Sequence, residues 1–533
     1  MLSREKSRVA FRILSATGRP RRTLSQTLLL ALAWACTTQA RADPYHQQSL
    51  PLGQRAIGMG GAFTAVADDP SATYYNPAGL TLTNDSSLSA SLTLQAFDRS
   101  TIHGGYRTSE GSASLNHNTG ASLPVFVSAI KLLGKKDSDG NRRHAVALTT
   151  FTVSQRRLSF DVEARGPTAN GPSLQTLSVE NSERTVWYGA AYAYRVSRRL
   201  SLGVTNFLSV SRTSYSEERI SAALGAVNTD DGTFASSNNS FTSHSVSTNV
   251  KSFLWRLGVL YAVDNKLQFG LMVQTPSAHI RGRASVRDRE LLTNTMATPA
   301  RSSVFNEHES HLTSHNPTPW EARLGTRYEV GDWLTLALDG SLYGPSGNKA
   351  HPVVTVGPRA IDPETGATPQ LGAFVTESYY RHWNGNVAIG ASFALPRTVH
   401  IRAGFYTDLS SAPSIPRFST VYYQPDVNRV GGTLALGLQN EGFDISLGTI
   451  GVFGRGHALA FNTDPNGPYT YQRTVATDRM FLFFLNGVKS AISTLAKHAE
   501  KQLMDIKKRL EERIRDDEAE PEPKDEPRLS PSP

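Results

Sequence analysis

From about residue 86 onward, apolar and polar residues alternate in segments of roughly ten, separated by turn-forming residues. Thr185 to Tyr194 is the clearest of them. Val186, Tyr188, Ala190, Tyr192 and Tyr194 share one face, while Gly189, Ala191 and Ala193 share the other. The chain then turns at Val196-Ser197-Arg198-Arg199 and returns through Leu200, Leu202, Val204 and Asn206 to Val210. A second hairpin runs from Phe253 to Tyr261, turns at Val263-Asp264-Asn265-Lys266, and returns from Leu267 to Gln274. Asp-Asn at its tip is tight-turn chemistry, because both side chains bond the local backbone and tolerate unusual dihedrals. The same pattern predicts strands near 86–98, 121–134, 143–155, 183–196, 199–212, 251–262, 266–275, 319–330, 332–343, 384–395, 397–408, 429–440, 442–453 and 475–486, about 14 in all.

The connections fall into two kinds. Short turns such as Val330-Gly331-Asp332 and Leu395-Pro396 alternate with long polar stretches at 213–250, 276–318 and 344–383. Long loops at every second connection are uncommon in compact soluble domains. They are the asymmetry of a transmembrane antiparallel β-barrel, whose short turns face the periplasm and whose long loops face outward. An even strand number returns both termini to the periplasmic side. Trp187, Trp255, Trp320, Trp333 and Trp383 lie near predicted strand ends and fit interfacial girdles.

Composition agrees with strands. Hydrophobic residues make up 39% of the 533, and mean hydropathy is −0.32. No apolar run reaches the ~20 residues of a membrane-spanning helix. The 42 Gly, 18 Tyr and 22 Phe suit β-hairpins. Residues 1–42 read as an export signal, with a basic stretch from Arg4 to Arg22, an apolar core Leu28 to Ala35, and Ala40-Arg41-Ala42 before Asp43. Arg21-Arg22 resembles a twin-arginine signal, but that route carries folded cargo and a barrel must stay unfolded until it reaches its membrane. The signal holds eight Lys and Arg and one acidic residue, so the remainder carries 47 basic against 45 acidic side chains. The pI near 9.5 is therefore mostly an export property and gives no support to nucleic-acid binding. Cys36, the single cysteine, lies in the signal. The mature chain then has no disulfide, thiolate metal site or cysteine nucleophile.

At the other end, Val488, Ile492, Leu495, Ala499, Leu503, Ile506, Leu510 and Ile514 recur at spacings of three and four. Residues 488–516 are predicted to be an amphipathic periplasmic helix and a possible contact for a periplasmic partner. The acidic, Pro-rich segment 517–533 is predicted to be disordered.

The most informative stretch precedes the first strand: LGQRAIGMGGAFTAVADDPSATYYNPAGL, residues 52–80. Gly53, Gly58, Gly60 and Gly61 allow close backbone packing, Asp68-Asp69-Pro70-Ser71 is a turn or capping cluster, and Asn76-Pro77-Ala78 ends the segment. Side chains this small suit packing inside a narrow cavity. The ordered combination of Leu52-Gly53-Gln54-Arg55-Ala56, Ala67-Asp68-Asp69 and Asn76-Pro77-Ala78 resembles the N-terminal hatch of the FadL-type (OMPP1/FadL/TodX) outer-membrane transport proteins. Ile401 to Tyr406 with Ser411-Ala412-Pro413, and Leu271 to Pro276, resemble later elements of that family.

The resemblance implies an all-β transmembrane barrel with the hatch in its lumen. It also implies passive passage of long-chain fatty acids or other hydrophobic small molecules, captured at outer loops and released through a gap in the wall into the membrane. The predicted organisation is thus a signal peptide (1–42), a hatch (43–85), a barrel (86–487), the helix (488–516) and the tail (517–533). Asn76, Pro77, Ala78, Asp68, Asp69, Gly60 and Gly61 are the expected hatch motif, and Arg55, Phe63 and Tyr74 are the candidate substrate contacts. The partners expected are outer-membrane lipid and a hydrophobic small molecule. A structural or assembly barrel that binds periplasmic or surface proteins is the competing reading.

Enzyme chemistry finds no foothold. The 14 His include no HExxH pair, and there is neither a G-x-S-x-G elbow nor a Walker loop. Asp137-Ser138-Asp139-Gly140-Asn141 opens like a calcium loop but lacks the closing glutamate, and reads as a plain turn. No metal or cofactor is expected.

Overall fold

The computed structural model describes residues 45–47, 50–83, 86–108, 111–121, 126–136, 142–168, 171–224, 237–294, 301–347, 380–395, 398–419, 423–440, 443–462 and 471–489. The predicted signal 1–42, the Asp137 to Asn141 turn, the predicted helix beyond Lys489 and the tail 517–533 lie outside them.

Among the described residues, eighteen strand segments form one continuous sheet. The first half comprises β1 (Ser87–Thr108), β2 (Gly111–Ala121), β3 (Phe126–Lys136), β4 (Arg142–Thr168), β5 (Gly171–Arg195), β6 (Leu200–Leu224), β7 (Ser237–Ala262), β8 (Leu267–Gln274) and β9 (Ala278–Asn294). The second comprises β10 (Arg301–Leu312), β11 (Glu321–Val330), β12 (Leu334–Tyr343), β13 (Asn384–Leu395), β14 (Val399–Asp408), β15 (Phe418–Ser419), β16 (Asp426–Asn440), β17 (Phe443–Asn462) and β18 (Tyr471–Lys489).

Three pairs of segments are collinear. β2 and β3 both pair with β1 in one register, Ala121 opposite Ala96 and Phe126 opposite Ser91. β8 and β9 both pair with β7, and β11 and β10 follow them along the next position of the wall. Taking each pair as one strand leaves fourteen wall strands plus the two-residue β15. Antiparallel pairing of β18 with β1, Asp478 opposite Ser100, closes the barrel.

Alternation decides which face meets lipid. In β5, Tyr188 and Tyr192 point outward at 51% and 44% exposure, while Ala193 is fully buried. In β7, Trp255, Leu257 and Tyr261 point outward and Leu254, Arg256 and Leu260 inward. Outward apolar residues therefore form a band, as lipid requires, and the inward set forms a core with the N-terminal segment. Trp255, Trp333 and Trp383 are exposed as expected for girdles, but Trp187 is only 3% exposed. Its odd position in β5 puts it on the lumen face, so nearness to a strand end was the wrong criterion there.

The strands are longer than the lipid-facing pattern predicts. β4 alone has 27 residues, about 90 Å along the strand, against the ~10 residues needed to cross a bilayer. Much of the polar stretches 213–250 and 276–318, expected as loops, is paired strand: β6 with β7, Tyr215 opposite Val246, and β9 with β10, Val286 opposite Glu309. The expected boundaries stopped where outward residues cease to be apolar, yet backbone pairing continues into water at no cost to either face. Val488 and Lys489, placed at the start of the predicted helix, still pair with β1.

Candidate functional site

The lumen is filled by residues 50–83. Two single-turn helices, α1 (Arg55–Gly58) and α2 (Ala72–Tyr75), lead into a 3-10 turn over Pro77–Leu82. Asn76 is the pivot. Its side-chain oxygen accepts from the Ala78 amide at 3.2 Å, capping that turn, and Pro77 occupies the first position, where no amide is needed. The Asn76 Nδ2 donates both to the Thr64 carbonyl within the segment at 2.9 Å and to the Val259 carbonyl of β7 at 3.0 Å.

Three cross-strand glycine pairs make room for this plug: Gly203 opposite Gly258, Gly270 opposite Gly325, and Gly390 opposite Gly404. All face inward. A Cβ on Gly258 would stand 2.1 Å from Asn76 Oδ1, and one on Gly270 would stand 2.3 Å from the Thr64 carbonyl oxygen. The plug's backbone thus lies directly on the wall's backbone. Wall polar groups then fasten it. Asp339 accepts from the amides of Phe63 and Thr64, each at 2.9 Å, Thr433 donates to the Gly58 carbonyl at 2.9 Å, and Thr205 to that of Thr73 at 2.9 Å.

Within the plug, Arg55 bonds Asp68 at 2.5 Å, and its amide donates to Asp69 at 3.3 Å. Asp69 also accepts from the Ser71 amide at 2.7 Å. Burial pushes the Asp68 carboxyl up, but the charges of Arg55 and Arg327 and the bond from Arg55 outweigh it and hold it below its ordinary value. Burial and the neighbouring Asp68 charge raise Asp69 instead. Gly60 and Gly61 take φ of 64° and 81°, the left-handed region that lets the chain turn against β14. Phe63 packs edge-on to Tyr75, ring centres 5.7 Å apart, and so belongs to the plug's own core.

Outward of the plug is a polar cavity of about 60 Å³, room for about four waters. Arg256, Glu321, Tyr343, Arg381, Glu183 and Trp187 are among its lining residues. Arg256 bonds Glu321 at 2.8 Å and Gln274 at 2.8 Å, donates to the Tyr74 carbonyl, and stands 3.9 Å from the Tyr74 ring centre. Arg323 closes the network on Glu321 at 2.7 Å. Arg381 donates to the Pro317 carbonyl at 2.6 Å and to Asn316 at 3.1 Å. At the cavity's rim, His46 lies 3.0 Å from Asp408, and Ser411 donates to the Tyr45 carbonyl at 2.6 Å.

An aromatic cluster runs from the cavity floor to the wall. Tyr74 contacts Phe151 at 5.2 Å and Trp187 at 6.2 Å, and Phe207 stands 5.1 Å from Trp187. Phe126 adds to it 5.9 Å from Phe151, at the start of β3. Beside this cluster β4 carries a bulge, the register shifting between Thr152 and Ser154. Of the three candidate contacts, Tyr74 alone reaches the cavity network, while Arg55 and Phe63 are spent inside the plug. Arg256, Glu321, Arg323 and Asp339 went unnoticed in the sequence. Their signal was a charge on the inward register of a strand whose outward residues are apolar.

A closed barrel with an apolar outer band and a lumen stoppered by its own N-terminal segment defines a plugged outer-membrane channel. The chain belongs to the outer membrane protein transport protein family (OMPP1/FadL/TodX), whose model matches residues 33–421. It is similar in fold to a Pseudomonas aeruginosa FadL homologue, with 14% identity, TM-score 0.52, and coverage of 85% of this chain and 100% of that one. The toluene transporter TodX of P. putida gives 13% identity, TM-score 0.53, and coverage of 82% and 98%. A deltaS2 mutant of the TodX monoaromatic hydrocarbon channel gives 14% identity, TM-score 0.52, and coverage of 83% and 99%. No curated protein sequence gives a match.

Proposed function

We propose that the chain is a passive channel for uncharged hydrophobic small molecules, with monoaromatic hydrocarbons as its preferred class. The observation that carries this reading is the aromatic cluster of Tyr74, Phe126, Phe151, Trp187 and Phe207, which links the cavity floor to the wall beside the β4 bulge. Each step along it removes apolar area from water, worth roughly 25 cal/mol per Å², so no energy source is required. The hatch motif, with Asn76 as its pivot, is the gate in this reading, and Tyr74 is the substrate contact.

Long-chain fatty acids are the second class. Their carboxylate would need a cation with free donors, yet Arg256 in the cavity lining already gives its donors to Glu321, Gln274 and the Tyr74 carbonyl. That favours a ligand without a charged head. Uptake of radiolabelled toluene and oleate by cells lacking or expressing the protein tests the reading. Toluene uptake should depend on the protein more strongly than oleate uptake. If neither depends on it while the barrel is correctly inserted, the reading fails. A periplasmic partner at residues 488–516 is a separate proposal, tested by crosslinking from that segment.

A further inference from the structure

On the outward face of β5 to β9, the apolar band ends abruptly in cations. Arg184 of β5 lies directly opposite Arg212 of β6, Arg212 opposite Asn249 of β7, and Asn249 opposite Arg283 of β9. Immediately below, Lys251 of β7 lies opposite Arg281 of β9. All five cations are exposed; Arg184, Arg212 and Lys251 share the register of the outward apolar residues of their strands, and Arg281 and Arg283 face outward by pairing with Lys251 and Asn249. Two residues toward the periplasm on β7 comes Phe253 and then Trp255, on β6 Val210, and on β5 Val186. The row therefore sits at the outer rim of the lipid-facing band, on the side away from the short turns.

Like charges directly opposite each other on neighbouring strands repel and destabilise the sheet. None of the five side chains makes a hydrogen bond or ion pair within the described residues. The outward carboxylates of β5 and β6 begin farther out, at Glu180 and Glu218. With strands about 4.8 Å apart, the row spans roughly 15 Å, a spacing that suits a ligand with more than one anionic group. Arginine is suited to bidentate phosphate binding. Such a row at this depth faces lipid head groups rather than bulk water.

We propose that Arg184, Arg212, Lys251, Arg281 and Arg283 form a binding surface for the phosphate groups of an outer-leaflet lipid that carries more than one phosphate. The acyl chains of that lipid lie on the apolar band below, against Phe253 and Val210, and its phosphates bridge the cationic row. The lipid thereby screens the repulsion between Arg184 and Arg212 and fixes the depth of the barrel in its membrane.

The test uses the full mature chain in mild detergent, titrated with bisphosphorylated lipid A and with the same lipid after enzymatic dephosphorylation, read by native mass spectrometry. The bisphosphorylated lipid should bind at least about tenfold more tightly, at roughly fivefold per surface cation. Replacing all five cations by Ser should abolish the difference while the protein still migrates as a folded barrel. If that variant does not fold, Lys251→Gln with Arg281→Gln should still weaken binding by about tenfold or more. Equal binding of the two lipids, or variants that bind like the parent, overturns the proposal. Inorganic pyrophosphate binding as tightly as the lipid overturns it too, assigning the row to a free anion.

Discussion

Thr64 gives Asp339 two hydrogen bonds to one carboxylate oxygen, from its backbone amide at 2.9 Å and its hydroxyl at 2.6 Å. With the Phe63 amide also on that oxygen at 2.9 Å, a single wall side chain holds the middle of the plug. Asp339→Ala removes all three. Leaving one buried donor without its acceptor costs about 2 kcal/mol, so even one lost bond raises the open population roughly thirtyfold. Single-channel recording in planar bilayers should show more frequent openings with unchanged barrel migration on gels.

The glycine pairs set the fit. Gly258→Ala places a methyl group 2.1 Å from Asn76 Oδ1, against a turn that Pro77 stiffens. Neither backbone can yield without breaking the Asn76 bond to the Val259 carbonyl. The plug should be displaced at a cost of about 1–3 kcal/mol, and protease should reach it in the folded barrel. Gly340→Ala, with nothing near its added methyl, is the matched control and should leave protection intact.

Glu321 is shared by two buried arginines, at 2.8 Å from Arg256 and 2.7 Å from Arg323. Glu321→Gln strands both charges and should cost about 3–5 kcal/mol in denaturant unfolding. Combining it with Arg256→Met and Arg323→Met should restore most of that stability. A double-mutant cycle on Arg256 and Glu321 should give a coupling of about 1 kcal/mol or more.

The Arg55–Asp68 pair sets how the plug responds to acid. Asp68 is held below its ordinary value, so its contribution is present above the unfolded value and is lost as pH falls through the lower folded one. Asp69, held high, acts in the opposite sense: its contribution is present below the unfolded value and fades as pH rises through the folded one. Losing the Asp68 contribution therefore requires a pH below the usual carboxylate range. From about pH 5 to 8 the Asp68 contribution should be constant, so any change of conductance across that window should disappear in Asp69→Asn. Asp68→Asn should raise conductance across that range by removing the pair at every pH.

The wall was legible because lipid imposes a period of two on every strand it touches. Tyr188, Ala190 and Tyr192 alternate with the small inward Gly189, Ala191 and Ala193 and give β5 away. The same rule hid the outer halves of β6 and β7 and the whole of β9 and β10, where water lies on the outward face and Ser, Thr and Arg carry no periodic contrast. The plug was legible as a Gly- and Ala-rich segment ending in Asn76-Pro77-Ala78. What the plug touches was not, since Asp339 and Thr64 are 275 residues apart. The facing of Gly203 on Gly258 likewise depends on the register between β6 and β7. Both need the strands aligned before either residue has a meaning.

The gating role of the plug is tested most directly by locking it. A Cβ at Gly58 would lie 2.9 Å from that of Arg402 and 3.1 Å from that of Ala435, so α1 must shift by under about 1 Å, which relieves Arg402 and opens the Ala435 pair toward the roughly 3.8 Å of a disulfide; the predicted mature chain has no cysteine to compete. Toluene uptake by cells carrying Gly58→Cys with Ala435→Cys should fall to the level of cells without the protein when oxidised and recover on reduction, with both single variants insensitive. Full uptake with the disulfide formed would contradict passage gated by the plug.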